Sequence, residues 1–157
     1  KRQVGGMLMV TGLILVLTGV LLWMTKGAEE KGQGVSGFTL GIALAIGLVQ
    51  GLAIIPGISR SGSTIAAGLL FGLDRKTAGT FSFLLSIPAI VGAAGLHLLM
   101  DGLDHFEPLP ALIGVTASFV VGLLSLGILM RIVKRGRLYL FAPYCLLVGL
   151  AVLVFGF

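Results

Sequence analysis

The chain has 157 residues, of which 57% are hydrophobic and 11% charged, with a net charge of +5. Soluble domains carry about 25% charged residues, so this shortfall, spread over several long apolar runs, excludes an ordinary soluble fold and predicts a membrane protein. The basic residues sit in short segments between apolar runs, where membrane orientation places them, and no nucleic-acid partner is expected.

Residues 5–25 form a continuous apolar run of about the twenty residues that span a bilayer, with Trp23 near its end where interfacial aromatics collect. No small-residue cleavage site follows, so the run reads as a spanning helix and not a signal peptide. The first residue is Lys1 and not methionine, which predicts further residues upstream. Residues 26–37, KGAEEKGQGVSG, are polar and glycine-rich, a loop. Residues 38–55 are apolar apart from Gln50. Residues 56–62 carry Pro56, Gly57 and Gly62 and predict a break. Residues 63–73 predict a short helix, ended by Asp74-Arg75-Lys76. Residues 77–100 span, 101–110 form an acidic loop, 111–133 span, 134–137 (KRGR) form a basic loop, and 138–157 span again. The 25 glycines fit this picture, because in lipid glycine lets helices approach closely. Cys145, the single cysteine, lies in an apolar run and reads as a packed small hydrophobe.

The piece 63–73 is too short to cross. At 1.5 Å per residue it reaches roughly half of a ~30 Å hydrocarbon core. A re-entrant hairpin over 38–73 repairs this: one arm enters, 56–62 turns within the membrane, and the second arm leaves on the same side. The fold class expected is all-α, a polytopic membrane bundle of about four spanning helices plus this hairpin, as one membrane domain over 1–157. Lys26, Lys31, Arg75, Lys76, Arg131, Lys134, Arg135 and Arg137 then fall on one side, and Asp101, Asp104 and Glu107 on the other. That asymmetry predicts the basic side to be cytoplasmic.

Arg60 stands at the centre of this hairpin, between two apolar arms. An ionised arginine there is a functional hypothesis by default, against the alternative of snorkelling to the interface. The chemistry around it is that of an anion site. Guanidinium offers forked donors that match phosphate oxygens. Ser59, Ser61, Ser63 and Thr64 add hydroxyls. Gly57 and Gly62 allow tight turns that aim amides inward, and residues 62–64 open the return helix, whose N-terminus favours an anion. Because the site lies in lipid, a lipid phosphate is the expected ligand. Gln50, on the ingoing arm, either faces this pocket or serves as a helix-packing amide. Ser82 and Ser86 read as packing contacts on a spanning helix, and His97 and His105 as interfacial or solvated residues.

The run PGISRSGST, residues 56–64, resembles the arginine-serine motif of the undecaprenyl-diphosphate phosphatases of the bacitracin-resistance type. FSFLLSIPAIVGA, residues 81–93, is similar to the segment that follows it in that family, and the succession of spans agrees to the end of the chain. The resemblance implies an inner-membrane hydrolase that removes the terminal phosphate of undecaprenyl diphosphate and returns the lipid carrier to cell-wall synthesis. It implies a fold of two inverted halves, each with a re-entrant hairpin, of which this chain would be one. Arg60 would hold the diphosphate, and Ser59 and Thr64 would line the same pocket. Ser61, Ser63 and the Gly57 and Gly62 backbone would support them, and Gln50 matches a family position. It also implies a divalent cation, Mg or Ca, for which this chain offers no identifiable ligand. The family's glutamate-rich motif, followed by Pro-Val-Ser-Ser and a histidine, has no counterpart here, so the chain resembles the C-terminal part of a longer phosphatase. A lipid-phosphate binder or transporter without hydrolase activity is the competing class, since hairpins with midplane sites recur in transporters. A membrane subunit that packs against a partner is a third, and a homo-oligomer stays open.

Overall fold

A computed structural model describes residues 2–27, 32–101 and 108–155. Lys31, Asp104, His105 and Glu107, and with them most of the acidic loop, lie outside the described residues. The described chain is helical: α1 (Arg2–Met24), α2 (Leu40–Leu52), α3 (Arg60–Leu70), α4 (Arg75–Asp101), α5 (Pro108–Lys134) and α6 (Ala142–Phe155). Four stretches are long and apolar enough to cross a membrane: Gly6–Gly27, Arg75–Met100, Pro108–Lys134 and Leu138–Phe155. In lipid an unpaired backbone N–H or C=O is costly, and a helix satisfies these groups within its own segment, so apolar runs of this length fold as helices. The protein is an all-α, multi-pass membrane bundle, as its sequence predicts. A single 3-10 turn, Leu138–Phe141, leads into α6. Pro143 sits in the first turn of α6, where a missing N–H is harmless.

The two hairpin arms are α2, 13 residues, and α3, 11 residues. They rise about 20 Å and about 16 Å, short of the ~30 Å a crossing needs. Their outer ends are tied together. The Gln33 N–H donates to the Gly72 carbonyl at 2.7 Å, and the Asp74 N–H donates to the Gln33 carbonyl at 2.9 Å. Entry and exit of the hairpin therefore lie at one level, as a re-entrant loop requires.

The same end of the bundle gathers the basic turns. Lys26 Nζ sits 5.3 Å from the Trp23 ring and 5.7 Å from the Tyr139 ring, so the end of α1 meets the start of the last span. The Arg75 guanidinium packs against Gly136, which brings the start of α4 to the 134–138 turn. Asp74 caps α4: the Thr77 N–H and hydroxyl each donate to its carboxylate at 2.8 Å. The Thr77 N–H holds this carboxyl below its ordinary range; the Thr77 hydroxyl and Lys76 act the same way, and partial burial opposes them.

The interior forms around α3. Every residue from Gly62 to Leu69 is buried, and α3 touches α1, α2 and α4. Ala66, Ala67 and Gly68 keep it thin enough to be enclosed. Ile65, Ile46 of α2, Leu22 of α1 and Val133 of α5 make up much of the core, and Cys145 joins it as the sequence predicts. α1 and α6 meet through glycine: a Cβ on Gly149 would lie 2.9 Å from the Gly12 carbonyl oxygen, an approach that only small residues permit.

Several boundaries differ from the sequence reading: α4 takes in Arg75 and Lys76, α5 takes in Pro108 to Pro110, and α6 begins only at Ala142. The ingoing helix starts at Leu40, capped by the Thr39 hydroxyl, which accepts the Ile42 N–H at 3.3 Å; Phe38 instead packs on Phe81, ring centroids 4.4 Å apart. The larger correction is at the tip. The non-helical turn was expected over 56–62 and the return helix from Ser63; the turn covers 53–59 and α3 begins at Arg60. Ser59 is the reason. Its backbone is extended and its hydroxyl accepts the Gly62 N–H at 3.3 Å, the position where serine is a favoured helix cap. Gly62 is not a breaker but the cap's companion: a Cβ there would lie 2.8 Å from the Ser59 hydroxyl oxygen.

Candidate active site

The tip of the hairpin is built against α1. Gly57 has φ +101, a backbone state that side chains with a Cβ rarely adopt. A Cβ at Gly57 would also lie 2.7 Å from the Thr11 carbonyl oxygen. The Thr18 hydroxyl donates to the Gly57 carbonyl at 3.3 Å. The turn is closed within itself by the Ile58 N–H on the Ile55 carbonyl at 3.2 Å.

From this turn the chain enters α3, and its first-turn amides lack intrahelical acceptors. The Ser59 hydroxyl takes the Gly62 N–H, and the Ser59 carbonyl takes that of Ser63 at 2.8 Å. The N–H groups of Arg60 and Ser61 have no acceptor among the described residues. They leave two donors at the positive end of the helix macrodipole.

The candidate side chains divide between two spaces. Ser59 and Ser61, with the Gly57 and Gly62 backbone, line a cleft of about 490 Å³ whose walls are apolar: Leu15 and Leu22 from α1, Leu129 from α5, Phe141, and Tyr144 and Cys145 from α6. Arg60 is exposed and lines a separate depression of about 620 Å³ on α4, beside Ala89, Ala93, Ala94 and His97. Its guanidinium has no hydrogen-bond or ion-pair partner among the described residues. The start of α3 is thus the wall between the two spaces, with the free amides on it.

Thr64 and Ser63 do not line either space. Thr64 is 1% exposed and faces α4. Its hydroxyl donates to the Arg60 carbonyl at 2.8 Å and is bonded to the Ser82 hydroxyl. With one hydroxyl hydrogen committed to the Arg60 carbonyl, Thr64 accepts from Ser82. The expectation that Ser59 and Thr64 share a pocket is corrected: from a helix start at Arg60, position 64 turns to the α4 face. Ser82 is the packing contact the sequence suggests. Ser63 is buried within α3.

Gln50 resolves as a packing amide. Its Nε2 donates to the Leu85 carbonyl of α4 at 3.2 Å. Pro88 lies inside α4, and a helical proline removes one ladder bond and disturbs the carbonyls before it. Gln50 serves one of these carbonyls. Its Oε1 is buried with no partner among the described residues. Sequence reasoning missed Thr18 altogether. The available signal was a hydroxyl in the middle of a span whose other polar side chains, Thr11 and Thr25, are also threonines.

A family model described as Bacitracin resistance protein BacA matches residues 2–151. The chain belongs to the BacA family. It is 54% identical over 143 residues to the undecaprenyl-diphosphatase of Desulfosudis oleivorans, covering 88% of this chain and 51% of that protein. It is 50% identical over 155 residues to the undecaprenyl-diphosphatase of Desulforapulum autotrophicum, covering 96% and 55%. The undecaprenyl-diphosphatase of Korarchaeum cryptofilum is 42% identical over 151 residues, covering 96% and 56%. The chain spans about half the length of the curated relatives it matches. Within the family match fall every helix core and the whole hairpin.

Proposed function

We propose that the protein hydrolyses undecaprenyl diphosphate to undecaprenyl phosphate and inorganic phosphate in the bacterial inner membrane, and that this chain supplies its phosphate clamp. Water attacks the terminal phosphorus, the P–O–P bond breaks, and the lipid monophosphate leaves. The observation that carries this reading is Arg60 at the start of α3, with the unengaged Arg60 and Ser61 N–H groups beside it, in a chain 54% identical to an undecaprenyl-diphosphatase. A phosphate group at this helix start meets the forked guanidinium on one side, two amides in the middle, and the Ser59 and Ser61 hydroxyls on the other. These donors stabilise the charge that builds on the phosphoryl oxygens in the transition state. Thr64 supports the clamp from within α3 through its bond to the Arg60 carbonyl.

A divalent cation does not fit the residues present. The tip carries a guanidinium and a helix N-terminus, both positive, and among the described residues no three His, Cys, Asp or Glu side chains come together. The test is phosphate release from undecaprenyl diphosphate by the protein encoded by the complete reading frame, comparing wild type with Arg60→Ala. Loss of release with the fold retained supports the clamp. Phosphate-lipid binding with no release by the wild type supports a binder instead.

A further inference from the structure

A threonine inside a helix has an acceptor at hand, the carbonyl three or four residues before it. Thr11, Thr64 and Thr116 use it, donating to Met7, Arg60 and Leu112 at 2.8 Å. Thr25 donates to Leu22 at 2.7 Å. Thr18 does not. Its hydroxyl reaches out of α1 to the Gly57 carbonyl at 3.3 Å, and the residue is 3% exposed. It forgoes the local bond for one to the hairpin tip.

We propose that Thr18 is a positioning residue of the phosphate clamp. The inference rests on the reading that the start of α3 holds a phosphate. Gly57 is the residue at which the hairpin reverses, two positions before the Ser59 cap. Its peptide has one constraint inside the turn, the Ile58–Ile55 bond, and its other constraints come from α1: the Thr18 hydroxyl and the close Thr11 backbone. The Thr18 bond keeps the Gly57 carbonyl turned to α1. Without it, that oxygen, a partial negative charge, is free to swing toward an anion at the helix start. The direction in which Ile58 delivers Ser59 and Arg60 would change with it. Thr18 touches no reacting atom; it acts through Gly57.

The experiment uses the protein encoded by the complete reading frame, in detergent, with phosphate release read as kcat and KM and folding read as Tm. Thr18→Val keeps the shape and removes the hydroxyl; Thr18→Ser keeps the hydroxyl. The expected result is an approximately three- to tenfold lower kcat/KM for Thr18→Val, with most of the loss in kcat at a temperature where the variant is fully folded, and recovery in Thr18→Ser. Arg60→Ala is run beside them. If Arg60→Ala is inactive and Thr18→Val turns over like wild type, the Thr18 proposal is overturned and the clamp stands. If Arg60→Ala turns over like wild type, the clamp reading falls and this proposal with it. An activity loss in Thr18→Val that only tracks its unfolded fraction also overturns the proposal. Should the valine variant not fold, Thr18→Cys, a weaker donor of similar size, takes its place under the same outcomes.

Discussion

Ser59 and Arg60 are adjacent in the chain and face different spaces. The Ser59 hydroxyl lies back on the Gly62 N–H and lines the apolar cleft between α1, α5 and α6, while the Arg60 side chain lies over α4. A ligand that uses both must sit across the start of α3, in front of the free amides. An anion with several oxygens is suited to that position, and each donor then contributes from its own side.

Arg60→Lys is expected to lower phosphate release by roughly ten- to a hundredfold, although the charge is kept. Lysine is a point charge and cannot make a forked contact to two phosphate oxygens. Charge-assisted hydrogen bonds contribute about 1.5–3 kcal/mol, which sets the range of the rate loss. Arg60→Ala is expected to lose more. Turnover measured on folded variants checks this, and near-wild-type turnover in Arg60→Ala would return Arg60 to a snorkelling role.

Ser59→Ala is expected to destabilise by about 1 kcal/mol through loss of the helix cap. Gly62→Ala is expected to destabilise too, because its Cβ displaces the same hydroxyl. The two should not add: in the Ser59→Ala background, Gly62→Ala costs less, since the hydroxyl is gone and alanine is the better helix former, while the 3.2 Å approach to the residue-59 Cβ remains. Thermal melts of both single variants and the double variant measure the coupling. Additive losses would show that Gly62 serves something other than the cap.

Acid should weaken the junction between α3 and α4. The Asp74 carboxyl is held below its ordinary value of 3.8, first by the Thr77 N–H. A carboxyl with a lowered folded value favours the folded state when ionised. Its contribution is full above the ordinary value and disappears as pH falls through the folded one. The Tm difference between wild type and Asp74→Asn should therefore be constant near neutral pH and close below about pH 4. A difference that persists unchanged to lower pH would show that the ionised cap is not its source.

Topology is testable by cysteine labelling in a Cys145→Ala background. Val35→Cys, beside the hairpin tie, should be reached only from the cytoplasmic side, and Leu109→Cys, at the start of α5, only from outside. The basic segments near Lys26, Lys76 and Arg137 motivate this assignment. Ile54→Cys, at the tip, should resist a reagent that reaches Val35→Cys, because both arms are too short to cross. Labelling of Leu109→Cys only after the membrane is permeabilised would reverse the orientation, and ready labelling of Ile54→Cys from outside alone would favour two full crossings.

The spanning helices were legible in the sequence because apolar runs of about twenty residues fit a helix across the bilayer, whereas a spanning strand needs only about ten. Arg60, Ser59 and Ser61 were legible as the polar groups of the hairpin tip because charged and polar groups in such a run stand out. The orientation of Thr64 was not, since it depends on where α3 starts, and a glycine at 62 reads as a break in sequence although it accommodates the Ser59 hydroxyl. The partners of Gln50 and Thr18 were also hidden. A sequence shows that a polar group lies in an apolar run, but its acceptor lies 35 residues away for Gln50 and 39 for Thr18. Only the packing of the hairpin on α1 and α4 brings these together.

The glycine contact between Gly12 and Gly149 has a temporal side. α2, α3 and α4 can gather in the order they leave the ribosome, and the Ser82 hydroxyl arrives soon after Thr64. α1 cannot be matched so early, because the surface that fits Gly12 is on α6, made five helices later. Until then the Gly12 face of α1 lacks its Gly149 partner, while Thr18 already has Gly57 to hold. A ribosome stalled within α6 would therefore leave a hairpin whose tip is already held by α1, with the α1–α6 seam still unmade.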